Sequence, residues 1–346
     1  MRRSARTVLL PAVLTVVAVA SQFLPPIALA RGSVPAWLPA LESTAATVAV
    51  YRETGLAIAT LAVLAGAFAL GYREASHRDV GRTYLRYVGV VCAAGATVLL
   101  LMFGGAVVAN GSAGSSPFLT ALVVTATLVA IPGVLTVSAL AGVTVASTRD
   151  SGSRALSTRG LLPFALAAGV VTGAGHALNA AGDLAMVAGD GVGVPTWLPQ
   201  FGTIGTTVTT YLLASQLAGD LALVGGGLAL GALAVRRTGI AAPARRFVAA
   251  VATGALGGLL VAWIPITWSL AAENTDPGLA AGAATLPNAV VSTAVVATLA
   301  TVAGVGVARF EADGSDAGGG VGDDTDDPGF EAVTETPVSE RSIRDH

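Results

Sequence analysis

Five polar residues in otherwise apolar stretches could do chemistry. His176, Asn179 and Asp183 are spaced i, i+3 and i+7, so on a helix they share one face. Gln216 and Asp220, spaced i and i+4, share a face of the next apolar stretch. At 1.5 Å rise per residue, His176 lies roughly 24 Å beyond Gly160 and Asp220 roughly 22 Å before Val235. If the two stretches are antiparallel neighbours, this rise sets His176 opposite Asp220 and Asn179 opposite Gln216. An imidazole beside a carboxylate can hold or pass a proton. An ionisable group at membrane depth is costly, which makes it a functional residue by default. The structural alternative is a polar pair that locks two helices together.

Other chemistry is thinly represented. The chain has no HExxH, no GxSxG and no Gly-x-x-x-x-Gly-Lys loop. Its histidines are His77, His176 and His346, of which one falls in an apolar stretch, so haem ligation by a histidine pair within one chain is excluded. Cys92 stands alone, which rules out an internal disulfide or a thiolate metal cage. The expectation is therefore no metal, no cofactor and no enzymatic activity. A membrane enzyme with His176 as base and Asp220 orienting it is the third class considered, after a carrier and a scaffold. Asn110-Gly111-Ser112 matches the glycosylation sequon. Arg52 and Glu53 read as solvated interfacial charges, and Asn288, Trp263 and Trp268 as packing and belt residues.

The elements that must carry these residues follow from composition. Hydrophobic residues make up 53% of the 346 and charged residues 12%, about half the charge of a soluble domain. A membrane helix needs roughly 20 mostly apolar residues. Eight segments qualify, at 8–30, 54–71, 87–109, 118–146, 161–187, 205–235, 247–270 and 285–308. The expected fold is thus all-α, a polytopic bundle of about eight transmembrane helices in contact with the lipid bilayer. Pro25, Pro26 and Pro132 predict kinks, since each frees a carbonyl within its segment.

Arginine sets the expected orientation, because cytoplasmic loops near helix ends hold an excess of basic residues. All 19 basic residues are arginine. With the N-terminus inside, the cytoplasmic side receives Arg73, Arg78, Arg149, Arg159, Arg236, Arg245, Arg309 and their neighbours, while Arg31 and Arg52 fall outside. Both termini are then cytoplasmic in a multi-pass cell-membrane protein. The competing reading of the first segment is a cleavable signal peptide ending at Ala28-Leu29-Ala30.

An internal duplication is also written in the chain. Val34-Pro35-Ala36-Trp37-Leu38-Pro39 returns as Val194-Pro195-Thr196-Trp197-Leu198-Pro199, and from there to Gly71 and Gly231 the two stretches are identical at 14 of 38 positions. Four segments repeated as four give halves of the same orientation, related by an axis along the membrane normal. The first repeat covers 1–158 and the second 159–309. Trp37 and Trp197 suit interfacial anchoring. Gly169-x-x-x-Gly173 and Gly227-x-x-x-Gly231 permit close helix approach. The polar set belongs to the second repeat alone, since Asp220 corresponds to Thr60 and Gln216 to Leu56.

Eleven of the 21 acidic residues fall after Phe310. The segment 310–346 is too polar and glycine-rich to form a core, so a disordered, acidic cytoplasmic tail is expected. With no lysine, the composition resembles that of salt-loving microbes. Function is read as transporter- or channel-like, with the polar cluster between the fifth and sixth segments. The alternative is a non-catalytic scaffold or accessory subunit, which would make a homo-oligomer or a membrane complex the partner. Nothing points to nucleic acid, and the ligand is unknown.

Overall fold

The computed structural model describes residues 44–75, 129–148, 158–187, 195, 197–200, 202–240, 243–273 and 278–318, with isolated positions between 9 and 17 and between 89 and 126. The described part is helical, with no strand among the described residues. Its elements are α1 (Thr44–Ala75), a π-helical segment (Val129–Gly133) leading into α2 (Val134–Ser147), α3 (Thr158–Val187), α4 (Ile204–Thr238), α5 (Arg245–Glu273), and α6 (Gly278–Ala289), which runs through a second π-helical segment (Val290–Val295) into α7 (Val296–Gly318).

Six helices are long and apolar enough to cross a membrane: Val50–Ala75, Ala130–Ser147, Arg159–Ala185, Ile204–Thr238, Arg245–Ser269 and Gly282–Glu311. They coincide with six of the eight expected segments. The segments 8–30 and 87–109 lie outside the described residues, save isolated helical positions such as Leu14 and Thr97. Lipid leaves backbone groups no partner but their own chain, so apolar stretches of this length close their hydrogen bonds internally as helices.

Two spans are central. In α2 and in the α6–α7 span, 61% and 67% of the most apolar stretch is buried, against 22–33% in the other four. Small residues permit that depth. On α1 and α2, a Cβ at Gly71 would collide with the Ala139 carbonyl, and one at Gly142 with the Phe68 carbonyl. Ser138 Oγ donates to the Leu64 carbonyl at 2.7 Å beside them. On α4 and α7, Gly231 meets the Thr301 carbonyl and Gly304 the Leu228 carbonyl in the same manner. Gly169 and Gly173 of α3 face Gly254 and Gly258 of α5. Such contacts bring backbones together wherever no side chain intervenes.

Contact order along each pair gives direction. Residue numbers rise together between α1 and α2, between α4 and α7 and between α3 and α5, so these pairs are parallel. From Val171–Gly226 through Gly175–Leu223 to Gly182–Ser215 they run oppositely, so α3 and α4 are antiparallel. Arg73, Arg159, Arg236, Arg237, Arg245, Arg246 and Arg309 therefore gather at one end of the bundle. The Pro195–Leu198 turn and Arg52 lie toward the other.

The polar sites between helices

The candidate site predicted from spacing lies along the α3–α4 contact. α3 presents Gly175, Asn179 and Gly182 to α4, which answers with Leu223, Gly219 and Ser215. Gly219 is the notch that admits Asn179: a Cβ there would strike the Asn179 carboxamide. Ser215 Oγ closes the arrangement, 2.9 Å from the Leu212 carbonyl and 3.4 Å from that of Asn179.

Within this contact the side-chain partner of Asp220 is Asn179. Among the described residues no ion pair joins His176 to Asp220, and His176 Nε2 has no partner. The expected facing of His176 with Asp220, and of Asn179 with Gln216, is off by about one turn. Side chains on a helix lean toward its N-terminus. In this antiparallel pair Asn179 leans toward the arginine-rich end and Asp220 toward the opposite end, so these two meet, whereas His176 leans away from the carboxylate. Rise per residue fixes backbone depth and omits this lean.

The remaining cluster members separate. Gln216 and Asp183 are exposed, and Asp220 and His176 are half-buried. Two atoms are left over: His176 Nε2 and Asn179 Oδ1 are buried with no hydrogen-bond partner. Each such orphan costs about 1–3 kcal/mol. Asn179 Oδ1 can accept from a visiting water or face a cation, and His176 Nε2 can take up a proton or bond a water.

A second polar contact escaped the sequence. Asn288 Nδ2 of α6 donates to Glu53 Oε2 of α1 at 2.9 Å across 235 residues of chain. The Glu53 side chain is only 17% exposed, where spacing suggests a solvated interfacial charge. Both residues lie inside spans. Ala141-Gly142-Val143-x-Val145-Ala146 returns as Ala303-Gly304-Val305-x-Val307-Ala308 at an offset of 162, but that string does not pair Glu53 with Asn288, and no sequence signal does.

No family model, curated protein or solved structure matches this chain. Function therefore rests on the side chains themselves.

The other predicted residues are placed as follows. Trp197 is 72% exposed in the turn where Leu198 N–H donates to the Pro195 carbonyl at 3.0 Å. Gly202, at φ 75°, and Thr203, which caps α4 by accepting from Thr206 N–H, redirect the chain into the helix. Tyr211 Oη donates to the Pro199 carbonyl at 3.0 Å, tying this turn to α4. Trp37 and Asn110 lie outside the described residues. Among the described residues no three of His, Cys, Asp and Glu gather as a metal site.

Proposed function

We propose that this multi-pass membrane protein is carrier- or channel-like, with Asn179, Asp220 and His176 as a site through which a proton or small cation passes. One observation carries the reading: the unpartnered, buried His176 Nε2 and Asn179 Oδ1 beside a half-buried carboxylate. Buried polar groups in a structural lock are hydrogen-bonded as a rule. A polar cluster retained with two orphans is better explained by a visiting ligand than by a lock. The competing scaffold reading, with no catalytic role in either case, predicts that the cluster affects stability alone.

The halves support a carrier. α1 and α4 correspond at an offset of 160, and the spans ending in α2 and α7 at 162. Under those offsets the contact of Gly142 with Phe68 maps onto that of Gly304 with Leu228, and Gly71 with Ala139 onto Gly231 with Thr301. Both central spans carry a π-helical segment, at Val129–Gly133 and Val290–Val295. α2 and α7 touch at Thr144 and Gly306, themselves equivalent residues, as they would on a two-fold axis along the membrane normal. These correspondences support a reading as two tandem parallel repeats, an arrangement found in many secondary transporters. That α1 and α2 run parallel supports the reading of 87–109 as a further span, although that segment lies outside the described residues. Together with 8–30 this reading counts eight spans, with both termini cytoplasmic by arginine placement.

The test is proton or cation flux into vesicles carrying the purified protein, read with an internal pH dye or isotope. Asp220→Asn abolishes flux in a protein that still folds. Unchanged flux in that variant, or none in the wild type with any small cation, would overturn the reading.

A further inference from the structure

The Glu53–Asn288 contact is separate from the α3–α4 cluster, on different helices, and joins the two halves. We propose that Glu53, Asn288 and Ser292 form a binding site for an alkali cation at the seam between them.

The donor set is oxygen, the ligand type that suits hard cations. Glu53 Oε2 accepts the Asn288 amide, while Oε1 has Arg52 Nε at 3.9 Å, beyond hydrogen-bond length. One carboxylate oxygen is thus left with free lone pairs in a largely buried side chain. Asn288 Oδ1 sits on the same carboxamide. Ser292 Oγ, one turn on, donates to the Asn288 carbonyl at 2.7 Å and keeps its own lone pairs. Asn288 and Ser292 flank the start of the π-helical segment Val290–Val295, and such segments occur often at functional sites. In transporters, carbonyls freed where helix backbone departs from regularity coordinate sodium.

Charge selects the ion class. At 1.5 Å per residue, Glu53 and Asn288 lie roughly 5 and 9 Å inside the starts of their spans. A carboxylate there is costly unless neutralised. Arg52, half-exposed and 3.9 Å away, neutralises it poorly. One negative group among neutral oxygens balances one monovalent ion, whereas a divalent ion would need further carboxylates.

The proposed duplication, on which this inference rests in part, supplies an internal control. The residues equivalent to Glu53 and Asn288 are Leu213 and Ala126. The other half carries apolar residues at both equivalent positions, so nothing in the repeat itself calls for a polar pair here.

The experiment copies that apolar pair. Thermal unfolding of the purified full chain in detergent is followed in sodium, potassium or choline chloride at equal ionic strength, for wild type, Glu53→Leu/Asn288→Ala and Asp220→Asn. Wild type gains a saturable rise in midpoint with sodium or potassium over choline. The double variant folds and loses that rise, with cation affinity down at least tenfold. Asp220→Asn keeps the component of the rise that the double variant loses, which separates this site from the α3–α4 cluster. Equal wild-type midpoints in all three salts overturn the proposal, as does a double variant that responds like wild type. If the double variant does not fold, equilibrium binding of radioactive sodium to Ser292→Ala decides: undiminished affinity refutes the site.

Discussion

Gly304→Ala is the sharpest probe of the central packing. A Cβ at this position would press into the Leu228 carbonyl, and the same atom at Gly142 would press into that of Phe68. Both obstacles are backbone, which cannot swing aside as a side chain can, so α7 must move off α4, or α2 off α1. Overpacking of this kind costs about 1–3 kcal/mol. At Gly257, on α5, a methyl group would meet nothing within 4 Å, so Gly257→Ala gains up to about 1 kcal/mol from helix propensity alone. The contrast between central and peripheral glycines is then about 1–4 kcal/mol, the sum of those two ranges. Reversible unfolding of Gly304→Ala, Gly142→Ala and Gly257→Ala in mixed micelles, followed by circular dichroism, measures it. The two central variants should lose stability to a similar extent, because their contacts are equivalent. If Gly304→Ala behaves like Gly257→Ala, the backbones are not in contact and the parallel α4–α7 pairing is wrong.

Other outcomes follow from single side chains. His176→Leu removes a buried nitrogen that has no partner, so the protein gains about 1–3 kcal/mol in unfolding while vesicle flux falls; lost stability would mean the imidazole is satisfied after all. Asn179→Ala deprives Asp220 of its side-chain partner and costs about 1–3 kcal/mol, measurable by the same unfolding assay. Tyr211→Phe deletes the bond to the Pro199 carbonyl and costs about 0.5–1.5 kcal/mol, with faster proteolysis of the 195–203 turn as a second readout. In a Cys92→Ala background, Trp197→Cys should react with an impermeant maleimide from outside intact cells and Arg309→Cys only after lysis; the reverse pattern inverts the topology.

The sequence reveals its spans readily because lipid imposes a compositional rule on every residue of a span. Ends are harder. α1 begins at Thr44 and its span at Val50, ahead of the expected Thr54, since Arg52 and Glu53 read as the border of the apolar run while Glu53 is in fact drawn in by Asn288. Pro132 signals a distortion, and the π-helical segment there contains it. The second π-helical segment contains no proline, so only correspondence with the first half could have raised the expectation. Asp220 and Asn179 are legible as neighbours in depth but not as partners, because spacing along an axis omits the tilt of Cβ. The Glu53–Asn288 contact joins residues 235 apart, and nothing local to either encodes the other.

Under the proposed duplication Thr144 and Gly306 are equivalent residues, and they press against one another. Thr144 Oγ1 is fixed by its bond to the Leu140 carbonyl at 2.8 Å, so it fills the space that a second threonine would need. Self-association should therefore be unequal when the halves are made as separate chains. A fragment bearing Gly306 can meet its own copy face to face, whereas one bearing Thr144 is barred from doing so and must wait for the other. Divergence at one midline residue is enough to make the unlike pairing the one that fits.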